Sequence, residues 1–317
     1  MYKTTQNYII PRSNKVTKID EHDGNDEDDE GEYVFDLSVN CDNTAIASTL
    51  SSMDIGIHDS STLQQNNKLE NCHMNRINGV EYLQHSPSVL VTASDDKSVK
   101  VFDMRSPTPS NAVLNIRTPG EAMDIAIGSN DALLVCAVNN GVTFYDLRQP
   151  NGGNGSGAIL GSYSDVNTDT VTQVKFNPQR PNELVTGGED GLIVTYNTNV
   201  SAGDEPIVSM FNIDCPVRRF GFFGQGLEGI YCLSTVETAS VWHAPSAQRL
   251  SSFDDIRESL GLDYLVDCMY NSTTDALTLI GGKWDGSGYL ANMQPNNVQI
   301  VGTLSEGHTA GIRCALS

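Results

Sequence analysis

The segment LVTASDDKSVKVFD (residues 90–103) is echoed by LVTGGEDGLIVTYN (184–197), which aligns Asp96 with Asp190 and Asp103 with Asn197. Weaker copies are AIASTLSSMDIGIHD (45–59), LLVCAVNNGVTFYD (133–146), IYCLSTVETASVWH (230–243) and TLIGGKWDGSGYLAN (278–292). Their last residues, Asp59, Asp103, Asp146, Asn197, His243 and Asn292, are spaced by 44, 43, 51, 46 and 49 residues. A unit of this length cannot bury its own faces, so neighbouring units must stack, and this repeat constrains the fold more than any single motif.

Each copy has one grammar. A short apolar strand ends in small residues, a polar turn follows, and an alternating strand closes on an aromatic or apolar residue before a polar one. Another strand pattern lies upstream, as in NGVEYLQHSPSV, VTQVKFNPQRPNE and PVRRFGFFGQGLE. With one strand from the connecting segment, each unit has four. No helical pattern long enough for a βαβ crossover interrupts them, so the sheets are expected to be antiparallel and the chain all-β, a propeller of radial four-stranded units.

The repeat resembles the WD40 family. Phe102–Asp103, Tyr145–Asp146, Tyr196–Asn197 and Trp242–His243 stand where its Trp–Asp pair belongs, and Gly307–His308 matches the Gly–His that opens a repeat. Residues 78–105 and 169–197, with FDDIRESLGLDYLVDCMYNSTTDALTLIGG (253–282), resemble one branch of that family, in which a short helix, here residues 254–260, joins two units. The resemblance implies a seven-bladed WD40 β-propeller over residues 33–317, with six recognisable repeats and a last blade truncated after one strand. A segment near Tyr8–Ile10 would help to close it; the alternative is a six-bladed ring that leaves residues 307–317 over. It further implies that Asp96, Asp190 and Asp285 brace the turn between second and third strands, in a network that reaches the Gly–His histidine, here His308. By the same resemblance, partners bind at one end of the central channel, where Asn78, Asp169, Arg218 and Asp267 begin the inner strands.

Charge narrows the partners. The chain has 19 basic and 40 acidic side chains and a net charge of −21, a surface that repels phosphate backbones, so direct nucleic-acid binding is not expected. Nine of the acidic residues fall in DEHDGNDEDDEGE (20–32), which makes residues 1–32 an N-terminal segment with an acidic, disordered run. With 38% apolar residues the rest can build a core, yet no apolar run reaches membrane-spanning length and the N-terminus lacks a signal-peptide core. No membrane association is expected, and the cytosol or nucleus is. The seven cysteines stand singly without CxxC spacing, which indicates neither disulfides nor zinc.

Several motifs that suggest chemistry read as structure instead. DEDDEG (26–31) opens like an EF-hand loop, but its twelfth position is Leu37 rather than a bidentate Glu, so no metal is expected. Gly224, Gly226 and Gly229 satisfy GxGxxG, yet a strand pattern rather than a helix follows. Asp95 beside Asp96 is a turn neighbour, matched by Glu189 and Val138, and not a general acid–base pair. NGGNGSG (151–157) is a flexible insert that accounts for the 51-residue interval, and SPTP (106–109) reads as a Pro-stiffened turn or a proline-directed phosphorylation site beside Arg105. The histidines are dispersed, with no set arranged for an active site; neither catalytic residues nor cofactors are expected.

Two functions follow as expectations. The first is a noncatalytic protein-interaction scaffold. FDMR and YDLR, ending at Arg105 and Arg148, resemble the WDxR box by which substrate receptors dock on the adaptor of a cullin–RING ubiquitin ligase. The second is an acidic escort for a basic client such as a ribosomal protein or histone, steered by the tail and the surface charge.

Overall fold

The computed structural model describes residues 32–106, 111–128, 130–148, 158–164, 166–200, 205–295, 297–304, 312, 314 and 315. Within them lie six four-stranded antiparallel sheets, each a meander whose strands pair in chain order. Blades 1 to 6 begin at their inner strands, Val34–Val39, Ile77–Tyr82, Ala122–Ile127, Val171–Asn177, Val217–Phe223 and Tyr264–Asn271. They end at their outer strands, Gln65–Leu69, Leu114–Arg117, Ala158–Tyr163, Ile207–Asn212, Gln248–Phe253 and Asn297–Leu304. The repeats found in the sequence are the second and third strands of these six blades. A helix at Ile256–Leu260 joins blades 5 and 6.

The expectation of seven blades is therefore corrected to six. Gly307, His308 and the rest of residues 305–311 lie outside the described residues, as do Tyr8–Ile10, so the role assigned to His308 has no structural description. Beyond them, Ile312, Cys314 and Ala315 join none of the sheets. Ile312 N–H donates to the Tyr264 hydroxyl of blade 6 at 2.7 Å, and Cys314 Sγ lies 3.8 Å from the Val34 carbonyl oxygen of blade 1. They pack as a filler against two blades: a Gly–His pair opens a repeat in sequence, but a blade needs four paired strands to exist.

Packing explains why the second strands read as short apolar runs. Each is sandwiched between neighbouring blades, so both of its faces are buried, as in Val89–Ser94, Leu133–Val138 and Gly229–Ser234. The outer strands face solvent and alternate, as Asn297–Leu304 does along its whole length. The residues in the Trp position of the repeat fill the layers between blades: Phe102 and Tyr145 are fully buried and Trp242 nearly so, stacked on Phe211 at 4.4 Å. Burying an aromatic side chain of this size contributes about 2–3 kcal/mol, which makes these the anchors of the stack.

Successive hairpins of a meander turn at opposite ends, so the propeller has two unlike faces. The connector face carries the links between blades and the turns from second to third strand. Each of those six turns holds one residue in the left-handed region, at Met53, Lys97, Asn139, Gly191, Glu237 and Gly286. The opposite, hairpin face carries the turns from first to second and from third to fourth strand.

Candidate functional site

On the connector face, Asp96 is the hub of the blade 2 turn. Its carboxylate accepts from Met74 N–H at 3.1 Å and Ser98 Oγ at 2.5 Å and lies 2.9 Å from His73 Nδ1, whose Nε2 reaches Thr92 Oγ1 at 2.7 Å. Burial alone would raise the Asp96 pKa, but these partners overcome it and hold the carboxyl below its ordinary value. His73 is buried and its pKa is lowered, chiefly by desolvation, which the Asp96 charge only partly offsets. Asp190 accepts in the same way from Thr168 N–H at 2.8 Å, with Asn167 Nδ2 in the place of the histidine at 3.3 Å. Asp285 is more exposed and braces its own turn through Ser287 N–H at 2.9 Å. Asp95 Oδ1 accepts from Asn78 Nδ2 at 2.5 Å, so both carboxylates of this turn are engaged by the fold.

The inner strands of all six blades line a central cavity of about 650 Å³. Each inner strand skips one residue against its second strand, a β-bulge at the same place in every blade: Phe35, Asn78, Met123, Thr172, Arg218 and Val266. The next residues, Asp36, Gly79, Asp124, Gln173, Arg219 and Asp267, therefore occupy equivalent positions around the axis. Asp36 Oδ2 accepts from Val80 N–H of the next blade at 3.1 Å, Asp124 Oδ2 from Val174 N–H at 2.9 Å and Gln173 Oε1 from Phe220 N–H at 2.7 Å. At Gly79 a Cβ would meet Asp124 Oδ1 tightly, at 3.0 Å. Two residues further along the strand Glu81 takes over this role, accepting from Ile127 N–H at 3.0 Å.

Several bulge residues form a second set of clasps. Asn78 Nδ2 donates to the Ala122 carbonyl at 3.0 Å, Thr172 Oγ1 to the Val217 carbonyl at 3.0 Å, and Arg218 to the Leu265 carbonyl, each reaching the next blade. Arg218 also pairs with Glu237 at 2.7 Å. Of the four residues expected at the channel end, Asn78 and Arg218 thus clasp blades together. Asp169 sits on the exposed connector face and accepts from Thr170 N–H at 2.7 Å. Asp267 lines the cavity and accepts from the Tyr231 hydroxyl at 2.9 Å and Cys268 N–H at 2.8 Å. They form no single cluster.

The cavity instead gathers charges that repeat matching did not single out. Burial raises the pKa of Asp36. Burial and the neighbouring Asp124 charge push Glu81 well up, and burial with the Asp36 charge pushes Asp124 up to about 7. Desolvation works against the Arg219 cation, but Asp36, Asp267 and Asp124 overcome it and hold its pKa above the usual guanidinium value. Among the described residues, no group of three or more His, Cys, Asp or Glu side chains is arranged to hold a metal ion, and no helix is long and apolar enough to cross a membrane.

The hairpin face carries Arg105 and Arg148, each just past the third strand of its blade. Arg105 Nε and Nη2 donate to the two carboxylate oxygens of Asp103 at 2.9 and 2.8 Å, and Arg148 repeats this on Asp146 at 3.0 and 3.2 Å. Each aspartate also accepts the arginine's own backbone N–H. Both arginine side chains remain 71% exposed. The arrangement fixes the same guanidinium orientation on two consecutive blades.

Comparison with known proteins agrees with this architecture. The family model described as WD domain, G-beta repeat matches residues 64–103, which run from the outer strand of blade 1 to the third strand of blade 2. The chain is similar to a WD repeat-containing protein 89 homolog of Dictyostelium discoideum, 28% identical over 89% of this chain and 76% of that protein. It is also similar to WD repeat-containing protein GTS1 of Arabidopsis thaliana, 28% identical over 90% of this chain and 74% of that one. Over 45% of its length it is 27% identical to histone acetyltransferase type B subunit 2 of Candida glabrata, covering 33% of that protein.

Proposed function

Because the chain is a WD40-repeat propeller, an architecture that binds other proteins, we propose that it works without catalysis as an intracellular interaction scaffold, and specifically that its hairpin face docks on the adaptor of a cullin–RING ubiquitin ligase. The observation that carries this reading is the duplicated arginine geometry. Arg105 and Arg148 are each locked by an aspartate two residues earlier, so little side-chain entropy is lost when these exposed guanidinium groups meet partner oxygens. The six described blades run from Val34 to Leu304. Binding of purified adaptor to the full chain tests the proposal. Arg105→Ala/Arg148→Ala is expected to abolish it while the chain stays folded, and unchanged binding would refute it.

The net charge of −21 favours a second reading, an escort for a basic client. The connector face carries Asp95, Asp96, Glu189, Asp190, Asp263 and Asp285 among its turns, opposite the arginines. The two readings are compatible in one molecule, with the adaptor on one face and the client on the other. Client binding is expected to weaken sharply with salt and to fall when residues 20–32 are deleted, whereas adaptor docking should survive both.

A further inference from the structure

Trp284 is 70% exposed on the connector face, at the turn from second to third strand of blade 6. It is not loose. Its ring packs on Tyr264 at 4.7 Å, tilted by 42°, and its backbone N–H donates to Asp263 Oδ2 at 2.8 Å. Val236, 59% exposed, stands on the corresponding turn of blade 5. Its neighbour Glu237 accepts from Leu265 N–H, the residue after Tyr264. The indole and the valine are therefore both exposed on turns whose neighbouring residues contact the start of the same inner strand.

The surroundings are acidic. Asp254, Asp255, Glu258 and Asp263 lie on the connector into blade 6, and Asp285 follows Trp284 directly. The basic side chains of these loops are Arg257 and Lys283, and Lys283 Nζ lies 5.4 Å from the Tyr289 ring. Arg218 is already paired with Glu237. An open indole on loops that carry five carboxylates and two basic side chains suits a cation on an apolar stem. A guanidinium can stack on the ring while its N–H groups reach the flanking oxygens. A neutral apolar partner would strip water from those carboxylates without replacing it, and an acidic one would be repelled.

We infer that Trp284 and Val236, with Asp263 and Asp285 at their edge, form the docking site for an arginine-rich segment of a partner protein. The inference rests on the basic-client reading and adds the place and the chemistry of contact.

The full chain has two tryptophans, and Trp242 is buried against Phe211, so a ligand at this site reports through Trp284 fluorescence. Titration with an oligoarginine peptide should shift that emission, and affinity should fall as salt rises. Read from a label on the peptide, Trp284→Ala and Val236→Lys should each weaken binding about fivefold, the order of an exposed cation–π contact with its apolar support, while Trp284→Phe keeps most of it. Deletion of residues 20–32 should cost less than Trp284→Ala. If the peptide binds and both patch variants stay within about twofold of wild type, the site is overturned; should the deletion then abolish binding, the escort reading stands on the tail alone. Failure of oligoarginine to bind the wild-type chain at low salt overturns the site and the basic-client reading together.

Discussion

Asp124→Asn should make the propeller more stable at alkaline pH. In the fold Asp124 faces the central cavity, gives one oxygen to Val174 N–H of the next blade, and has its pKa pushed from 3.8 up to about 7 by burial and the Asp36 charge. The native state therefore keeps a proton that the unfolded chain has lost over the window between those values. Stability from this group is fully present below about pH 4 and is lost as pH rises through about 7. A shift of roughly 3 units at about 1.36 kcal/mol per unit sets an upper bound of ~4 kcal/mol, and water in the cavity reduces the expected effect to about 1–2 kcal/mol. Asparagine can still accept from Val174 through its amide oxygen and cannot ionise. It also removes a charge that pushes up Glu81, so the coupled carboxyl acts in the same direction. Urea unfolding of both proteins from pH 5 to pH 8.5 measures the difference. The difference between the two midpoints should move in favour of the variant as pH rises from 5 to about 7 and level off above it. A pH-independent difference, or a variant that loses ground as pH rises, would show that Asp124 is ionised in the fold throughout and would refute the reasoning.

Other outcomes follow from the same geometry. Asp96→Ala leaves His73 and the Met74 N–H without their acceptor and should cost about 2–3 kcal/mol by denaturant unfolding. His73→Ala should flatten the stability lost on the acid side, because a histidine with a lowered pKa contributes stability above pH 6.5 that disappears as pH falls through its folded value. Phe102→Ala opens a cavity between blades 1 and 2 and should cost about 3–5 kcal/mol in the same assay.

The repeat was legible because the second and third strands are buried on both faces, which forces small apolar residues and a short polar turn at every copy. The helix joining blades 5 and 6 was expected over residues 254–260 and is found at Ile256–Leu260. Blade number was misread from Gly307–His308, since a motif that opens a repeat carries no information about whether three more strands follow. The channel was hidden for a different reason. Asp36, Gly79, Asp124, Gln173, Arg219 and Asp267 share a position but not one residue type, so alignment by the second- and third-strand pattern does not connect them. The bulge also breaks the period of two: it turns Arg218 toward the neighbouring blade and sets Arg219 along the cavity. His73 escaped notice because Cys72 precedes it instead of glycine, and Trp284 because an isolated tryptophan in a turn reads as part of the repeat.

The most direct measurement is affinity capture with mass spectrometry on three folded forms in the same cells: the full chain, Arg105→Ala/Arg148→Ala, and a deletion of residues 20–32. The account predicts a ligase adaptor that is lost only with the arginine change, and a basic protein, where one is recovered, that is reduced by the deletion but not by the arginine change. An adaptor recovered equally by all three forms, or by none, would contradict the docking of the hairpin face and leave Arg105 and Arg148 as ordinary strand ends.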